Sequence, residues 1–321
     1  MRQIVLAILL ITSSFATNAA AQAEEASQKA ILITGASTGI GRSMAELMAA
    51  KGHFVYAGAR KDKDMEELNA IDNIQAVRLD VTDQEQIVSA VKTITEAGRG
   101  LYGLINNAGV GVIYPLIEVP ESEFDFQMDV NLYGPYRVTK AFAPLIIESK
   151  GRISITGSIS GILSGPLFGV YSISKHGMEA YVDSLASEME RFDVKVSIIE
   201  PGNYESKIGK SLVNRMKRQN FDATESLYQE DFERMMSRMD GDGEPEADPI
   251  AVSQAAMHAM FDENPKRRYM VVPNQRQADV TIRKAIEEVV QLNQGQKYSF
   301  SRDELVQMLE ESMAAHTDSA W

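Results

Sequence analysis

Cysteine is absent from the chain. Disulfides, thiolate nucleophiles and cysteine-type zinc sites are thereby excluded, although that absence does not fix the compartment. Histidine is scarce: His53, His176, His258 and His316 stand far apart, with none of the close spacing that a metal site needs. Cations are outnumbered, 32 Lys and Arg against 45 Asp and Glu, for a formal net charge of −13. Nucleic acid and anionic lipid are both met by clustered Lys and Arg, so this balance argues against either as a partner. Long apolar runs are also lacking. The one at the N-terminus, from Ile4 to about Ala16, falls short of the roughly 20 residues of a membrane span.

What is present is ordinary globular material: 321 residues, 44% hydrophobic and 24% charged, ample for a core. The N-terminus reads Met1-Arg2-Gln3, then the apolar run, then Asn18-Ala19-Ala20-Ala21-Gln22-Ala23. A basic start, a short apolar stretch and small residues before a cleavage point form a secretory signal pattern. Residues 1–23 are therefore expected to be a signal peptide, cut after Ala21 or Ala23, or an uncleaved anchor; a helix packed on the domain is the alternative. No twin-Arg signature is present, so a Sec-type route to an exported, periplasmic location is the simpler expectation.

Beyond a polar spacer, short apolar strands alternate with amphipathic helices. Strands are predicted at Lys29–Thr34, His53–Ala59, Gln75–Leu79, Tyr102–Ile105, Arg152–Thr156, Val194–Ile199 and Arg268–Val272. Helices are predicted at Ile40–Ala50, Gln84–Thr95, Glu121 to Phe142 with an end near Pro144, Val170–Phe192 and Pro249–Asp262. Such alternation implies an α/β fold, one doubly wound parallel sheet with helices on both faces. Residues 29–273 form that domain. Residues 203–245 interrupt the rhythm as an insertion, and residues 274–321 form a polar, helical C-terminal extension.

The first strand runs straight into Thr34-Gly35-Ala36-Ser37-Thr38-Gly39-Ile40-Gly41. Between a strand and an amphipathic helix, glycines at these places have physical work. Gly35 permits a tight turn, Gly39 lets backbone approach a pyrophosphate, and Gly41 lets the helix pack on the strand. The free N–H groups and the positive helix end then face phosphate. Gly35, Ser37, Thr38, Gly39, Ile40 and Gly41 are accordingly expected to cradle a dinucleotide on a Rossmann-type sheet.

This loop resembles the fingerprint of the short-chain dehydrogenase/reductase family, and later motifs agree in order and spacing over residues 29–273. The resemblance implies adenine contacts for Asp80 and Val81, and a cleft lined by Asn107 and Gly109 of Asn106-Asn107-Ala108-Gly109. It implies an active-site role for Asn131, a catalytic Ser158, and a catalytic pair in Tyr171 and Lys175. Pro201-Gly202 would lie beside the nicotinamide. An NAD site wants a carboxylate at the end of the second strand. Ala59 stands there, followed by Arg60 and Lys61, and a cation at Arg60 suits the 2′-phosphate of NADP. NADP(H) is the expected cofactor, with NAD possible and Arg60 as a solvated loop residue the alternative. An exported enzyme would have to obtain that cofactor outside the cytoplasm.

Moving a hydroxyl proton during hydride transfer needs an acid–base group. A free phenol, with a pKa of about 10, is too weak near neutrality. Tyr171 and Lys175 are four apart on a helix and share a face. The ammonium is expected to lower the phenol's pKa, making Tyr171 the acid in reduction and the base in oxidation. Ser158 would donate to the substrate oxygen, and Asn131 would anchor a water that relays protons from Lys175. Singly, each has a plain structural alternative: a surface pair, a helix cap (with Ser160 and Ser164 nearby), a solvent-facing amide.

The insertion carries Ile208, Leu212, Met216, Phe221, Leu227, Phe232, Met235, Met236 and Met239, and the stretch Gly161–Phe168 before Tyr171 is also apolar. In the family this region is a substrate lid, and the pattern resembles the steroid and retinol dehydrogenase branch. A lipophilic alcohol or ketone is the expected substrate, the alternative being that these side chains only pack the lid on the domain. Leu305, Met308, Leu309 and Met313 mark one face of a tail helix, expected to dock on its own domain or on a second subunit of a homo-oligomer. A non-catalytic NAD(P)-binding sensor with the same fold is the rival class, but such proteins lose the Tyr or the Lys and this chain has both. Epimerase or dehydratase chemistry is opposed by the loop spacing and the short substrate region.

Overall fold

A computed structural model describes residues 28–206, 208–219, 221–240 and 247–315. The candidate signal or anchor, residues 1–23, lies outside them, as does His316.

Seven strands form one sheet: β1 (Ala30–Ile33), β2 (Phe54–Ala59), β3 (Ile74–Arg78), β4 (Gly103–Asn106), β5 (Arg152–Thr156), β6 (Lys195–Pro201) and β7 (Arg268–Val271). Their spatial order is β3-β2-β1-β4-β5-β6-β7, and every pairing is parallel. Side chains alternate across the sheet. Leu32, Tyr56, Leu104, Ile153 and Ile198 meet one helical layer, and Ile31, Ile33, Val55, Ile105 and Ile199 meet the other. The first layer holds α3 (Gln84–Glu96), α5 (Gly134–Glu148) and α6 (Gly169–Met189), through Ile87, Phe142 and Met178 among others. The second holds α1 (Gly39–Ala50) and α9 (Ile250–Phe261), through Met44, Met48 and Met260. Burial on both faces is why these strands read as continuous apolar runs. The order reverses between β1 and β4, which opens a crevice at the carboxyl ends of the strands.

Two helices depart from expectation. α2 (Asp62–Asn69) was not foreseen. The helix expected over Glu121–Phe142 is three pieces: α4 (Glu121–Met128), a π-type turn Asp129–Tyr133, and α5, which continues through Pro144 to Glu148. Proline removes one backbone bond. Pro144 is exposed, so the freed carbonyl faces water, while buried Phe142 and Ile146 hold the helix on either side.

The insertion folds into α7 (Ile208–Arg218) and α8 (Gln229–Asp240), and the extension into α10 (Gln275–Asn293) and α11 (Arg302–Ala315). Docking of the tail face on its own domain is not found: Met308, Leu309 and Met313 are all exposed. No described helix is long and apolar enough to cross a membrane. Three histidines are tied to local structure: His53 stacks on Phe261, His176 meets the Ser172 carbonyl, and His258 Nδ1 lies 2.8 Å from the Tyr269 hydroxyl.

Candidate active site

The glycine turn, the end of β4, the segment after β5 and the end of β6 meet at the carboxyl edge of the sheet. Gly35 and Gly39 have φ of +65° and +56°, a region other residues enter only with strain. A Cβ on Gly35 would lie 2.8 Å from the Ala108 Cα, and one on Gly41 would lie 2.3 Å from Asn107 Nδ2 and 2.5 Å from the Gly35 carbonyl oxygen. The turn is therefore pressed against the β4 loop. Asn107 ties it there: its Nδ2 donates to the carbonyls of Thr34 (3.1 Å) and Gly35 (3.2 Å), and its Oδ1 accepts from Thr156 Oγ1 (3.2 Å). At the start of α1, Thr38 makes no side-chain cap and the first turn carries no acid. The positive helix end is thus left for an anion, and the cradle of Ser37, Thr38, Gly39, Ile40 and Gly41 fits the phosphates of a dinucleotide. Gly39 is approached by the start of the lid, with the Ser206 Cα 3.3 Å from where its Cβ would be.

At the far end of that cleft, Ala59 is buried and offers no carboxylate. Arg60 extends from β2 with its Nη1 3.3 Å from Asp80 Oδ2. Burial works to raise Asp80, but the Thr82 N–H and hydroxyl and the Arg60 guanidinium hold its carboxyl below the usual range. Val81 is buried against Gly134 at the start of α5. The expected adenine-side residues Arg60, Asp80 and Val81 are thus brought to one rim.

At the other end stand Ser158, Tyr171 and Lys175. Ser158 caps the 3₁₀ turn Ile159–Gly161, its Oγ accepting from Ser160 N at 3.1 Å. The same hydroxyl stands close enough to the Tyr171 phenol to oppose the effect of burial on it, so capping and site membership coexist in one side chain. Lys175 is buried, donates to the Thr156 carbonyl at 2.8 Å, and places Nζ 5.6 Å from the centre of the Tyr171 ring. The electrostatics differ from expectation. Burial pushes the Tyr171 pKa up, with Ser158 acting the other way. Burial also pushes Lys175 down, to about 8, against the charge of Glu179. Removing both groups from water outweighs the expected lowering of the phenol by the ammonium.

Asn131 lies in the π-type turn, where local widening redirects side chains. Its Oδ1 accepts from Val110 N (2.9 Å), and its Nδ2 donates to the Val110 carbonyl (3.0 Å) and Ser174 Oγ (3.2 Å). One donor braces the loop that contains Gly109 and the other ties that loop to α6 through Ser174. Pro201 closes β6 against Val271. Gly202 follows, where a Cβ would be 2.1 Å from Gln277 Oε1, an atom that accepts from Asn203 N at 2.9 Å. Gln277, from the tail, was not foreseen; nothing in its local sequence announces it.

The insertion expected to be a lid packs on the segments that follow β4 and β5. Leu212, Phe232 and Met235 are buried with Ile113 and Leu167, and Met216, Phe221 and Met236 pack around them. Leu227 is 84% exposed and takes no part in that lining, contrary to expectation. The lid is latched to α4: Arg215 Nε and Nη2 lie 2.5 and 2.8 Å from the buried Glu123 carboxylate, Gln219 Nε2 lies 2.8 Å from it, and the guanidinium stacks 3.5 Å from the Phe126 ring centre.

Comparison with known proteins agrees with this geometry. The short chain dehydrogenase family profile matches residues 29–217. The mitochondrial D-beta-hydroxybutyrate dehydrogenase of Mus musculus is 32% identical over 269 residues, covering 78% of this chain and 78% of that protein. Retinol dehydrogenase 7 of Rattus norvegicus is 35% identical over 259 residues, covering 75% of this chain and 80% of its own. Among solved structures, a short chain dehydrogenase/reductase from Burkholderia phymatum in complex with NAD shares the fold, with a TM-score of 0.70 at 23% identity over 85% of this chain and 98% of that one.

Proposed function

The chain belongs to the short-chain dehydrogenase family, in its steroid and retinol branch, and from that premise we propose that it transfers hydride between NADP(H) and a lipophilic alcohol or the matching ketone. The observation that carries the reading is the buried Lys175, held by the Thr156 carbonyl with Nζ 5.6 Å from the Tyr171 ring centre and Ser158 beside the phenol, at the carboxyl edge where the glycine turn also lies. A bound nicotinamide dinucleotide supplies the hydride donor or acceptor. The chain supplies the proton. Because burial raises the Tyr171 pKa, the resting phenol is protonated and ready to donate to a carbonyl oxygen; oxidation runs the same transfer in reverse, with Tyr171 as base. Ser158 donates to the same oxygen as charge develops on it. Lys175, held by the Thr156 carbonyl, offers its ammonium to the phenolate once formed.

The choice of NADP(H) rests on the missing carboxylate at Ala59 and on Arg60 at the rim. A lipophilic substrate is supported by the apolar character of the insertion, whose Leu212, Phe232 and Met235 pack with Ile113 and Leu167. A small hydroxy acid, suggested by the name of one relative, would want a free cation under the lid; among the described residues, Arg215 there is already paired with Glu123. The exposed apolar face of α11 suits contact with a second copy. Export is proposed from the N-terminal pattern, and sequencing the mature N-terminus decides it.

The decisive assay is a panel of steroids, retinoids and small ketones read by NADPH absorbance. Tyr171→Phe is expected to bind the dinucleotide normally and to turn over at least about 100-fold more slowly. Normal turnover in that variant would end the mechanism, and a wild-type chain that binds no dinucleotide would end the whole reading. Arg60→Asp is expected to shift preference toward NAD; an unshifted preference refutes the cofactor assignment.

A further inference from the structure

Beneath the catalytic trio lies a second ionisable group that the hydride chemistry does not use. Glu179 stands on α6, one turn after Lys175. Glu200 is the residue of β6 just before Pro201, and is 2% exposed. One guanidinium from β7 serves both carboxyls: Arg268 Nε lies 3.0 Å from Glu179 Oε2 and 3.7 Å from Glu200 Oε1. The other arm of Arg268 lies 2.7 Å from Asp183 Oδ2, and Arg267 Nη1 lies 3.7 Å from Asp183 Oδ1. Lys175 adds its charge from the next turn of α6. The turn Ile159–Gly161, packed against the pair, contributes no charged residue.

Even so, one oxygen on each carboxyl, Glu179 Oε1 and Glu200 Oε1, is buried without an N–H or O–H donor. The two carboxyls crowd the same Arg268 Nε, and each acts on the other's titration. Two ionised carboxylates in contact away from water repel strongly, whereas a single proton between them turns the contact into a short, charge-assisted hydrogen bond. We propose that Glu179 and Glu200 share one proton in the working protein, and that this clasp is a positioning device for the cleft. It joins α6, which carries Tyr171 and Lys175, to the end of β6, which leads into Pro201–Gly202. It also seats the Ser158 turn, because a Cβ on Gly161 would lie 2.7 Å from Glu179 Oε1.

The clasp has a pH limit. Burial first, and the charge of Glu179 second, push the Glu200 carboxyl up to about 8, with Arg268 acting the other way. A carboxyl raised in the folded state gives stability that is whole below the ordinary carboxylate range and is lost as pH climbs through the raised value. Above it, two like charges push α6 and β6 apart and the cleft loosens.

The test uses the full-length chain. Melting temperature is followed without cofactor from about pH 6 to about pH 9 for wild type, Glu200→Gln and Glu179→Gln, and NADPH binding is followed by its fluorescence over the same range. An amide at either position supplies the missing donor and cannot ionise. Wild type is expected to lose melting temperature across the range while Glu200→Gln stays level. Its NADPH dissociation constant is expected to rise up to about tenfold one unit above the titration, again with no rise in Glu200→Gln. Parallel melting curves for wild type and both amide variants would overturn the proposal. The binding arm rests on the dinucleotide reading of the cleft. If NADPH binds none of the proteins, that reading fails while the melting curves still judge the clasp. Should the variants not fold, ¹³C NMR of glutamate-labelled wild type decides: a carboxyl titrating above about pH 7 is expected, and none above the ordinary carboxylate range refutes it.

Discussion

Adding one methyl group, by Gly41→Ala, tests how tightly the glycine turn is held. Within α1, alanine is the better helix former by about 0.8–1.0 kcal/mol, so propensity alone predicts stabilisation. Packing opposes it. The new Cβ would sit 2.3 Å from Asn107 Nδ2 and 2.5 Å from the Gly35 carbonyl oxygen. The carbonyl has little room to retreat, since Gly35 is itself pressed on Ala108 and turns at positive φ. Asn107 must therefore move, giving up its bonds to Thr34, Gly35 and Thr156. Overpacking costs about 1–3 kcal/mol, and the lost bonds of a partly buried amide cost about 1–3 more. Less the helix gain, the net loss is about 1–5 kcal/mol, a fall in melting temperature of roughly 2–20 °C. Circular dichroism melts and NADPH fluorescence titration read both effects, and affinity is expected to fall along with stability. Gly165→Ala is the control, because a Cβ there meets nothing within 4 Å. If Gly41→Ala melts with the control and binds NADPH as wild type does, the packing argument is wrong.

Lys175→Met should be inactive yet no less stable. The charged amine is disfavoured by burial, since its pKa falls from 10.5 to about 8. That cost, roughly 3 kcal/mol, is whole below about pH 8 and fades as pH rises toward the unfolded value. It outweighs the bond lost to Thr156, so a lower melting temperature at neutral pH would contradict the assignment. Arg215→Met strands the buried Glu123 carboxylate. A loss of about 3 kcal/mol is expected, at the low end for a broken buried pair because Gln219 remains as a donor, together with a raised KM for bulky substrates; an unchanged melt would show that the latch carries no load. Asn131→Ala removes three hydrogen bonds around Val110 and Ser174. It should lower stability by about 2–4 kcal/mol and weaken dinucleotide binding, and wild-type affinity in that variant would argue against the brace.

How far the molecule could be read from its sequence depended on how local each signal is. β5 was expected at Arg152–Thr156 and is found there, because its β-branched residues Ile153, Ile155 and Thr156 mark a strand locally. α2 was missed for the opposite reason: of its eight residues only Leu68 is buried, so no apolar stripe exists to reveal it. Pro144 misled, since its effect on a helix depends on which side faces water. At the site, the glycine turn, Ser158, Tyr171 and Lys175 lie in short motifs and were legible. The contacts that hold them were not. Asn131 meets Val110 across 21 residues, and Asn107 meets Thr34 across 73. Burial, which decides the direction of the Tyr171 shift, is a property of the assembled fold. Glu200 did leave a trace, an acid inside an otherwise apolar strand in Ile198-Ile199-Glu200-Pro201, and buried acids in strands invite a search for their partners.

Gln277 gives the C-terminal extension a part in timing. A chain emerging from the ribosome lays down the glycine turn first and the acid–base pair midway. The rim beside Pro201 and Gly202 still lacks the amide that fills it. Synthesis proceeds from the N-terminus at roughly 5–20 residues per second, so for some seconds the nascent protein holds most of its sheet with an unfinished mouth. The reaction chamber is among the last parts of the molecule to be completed.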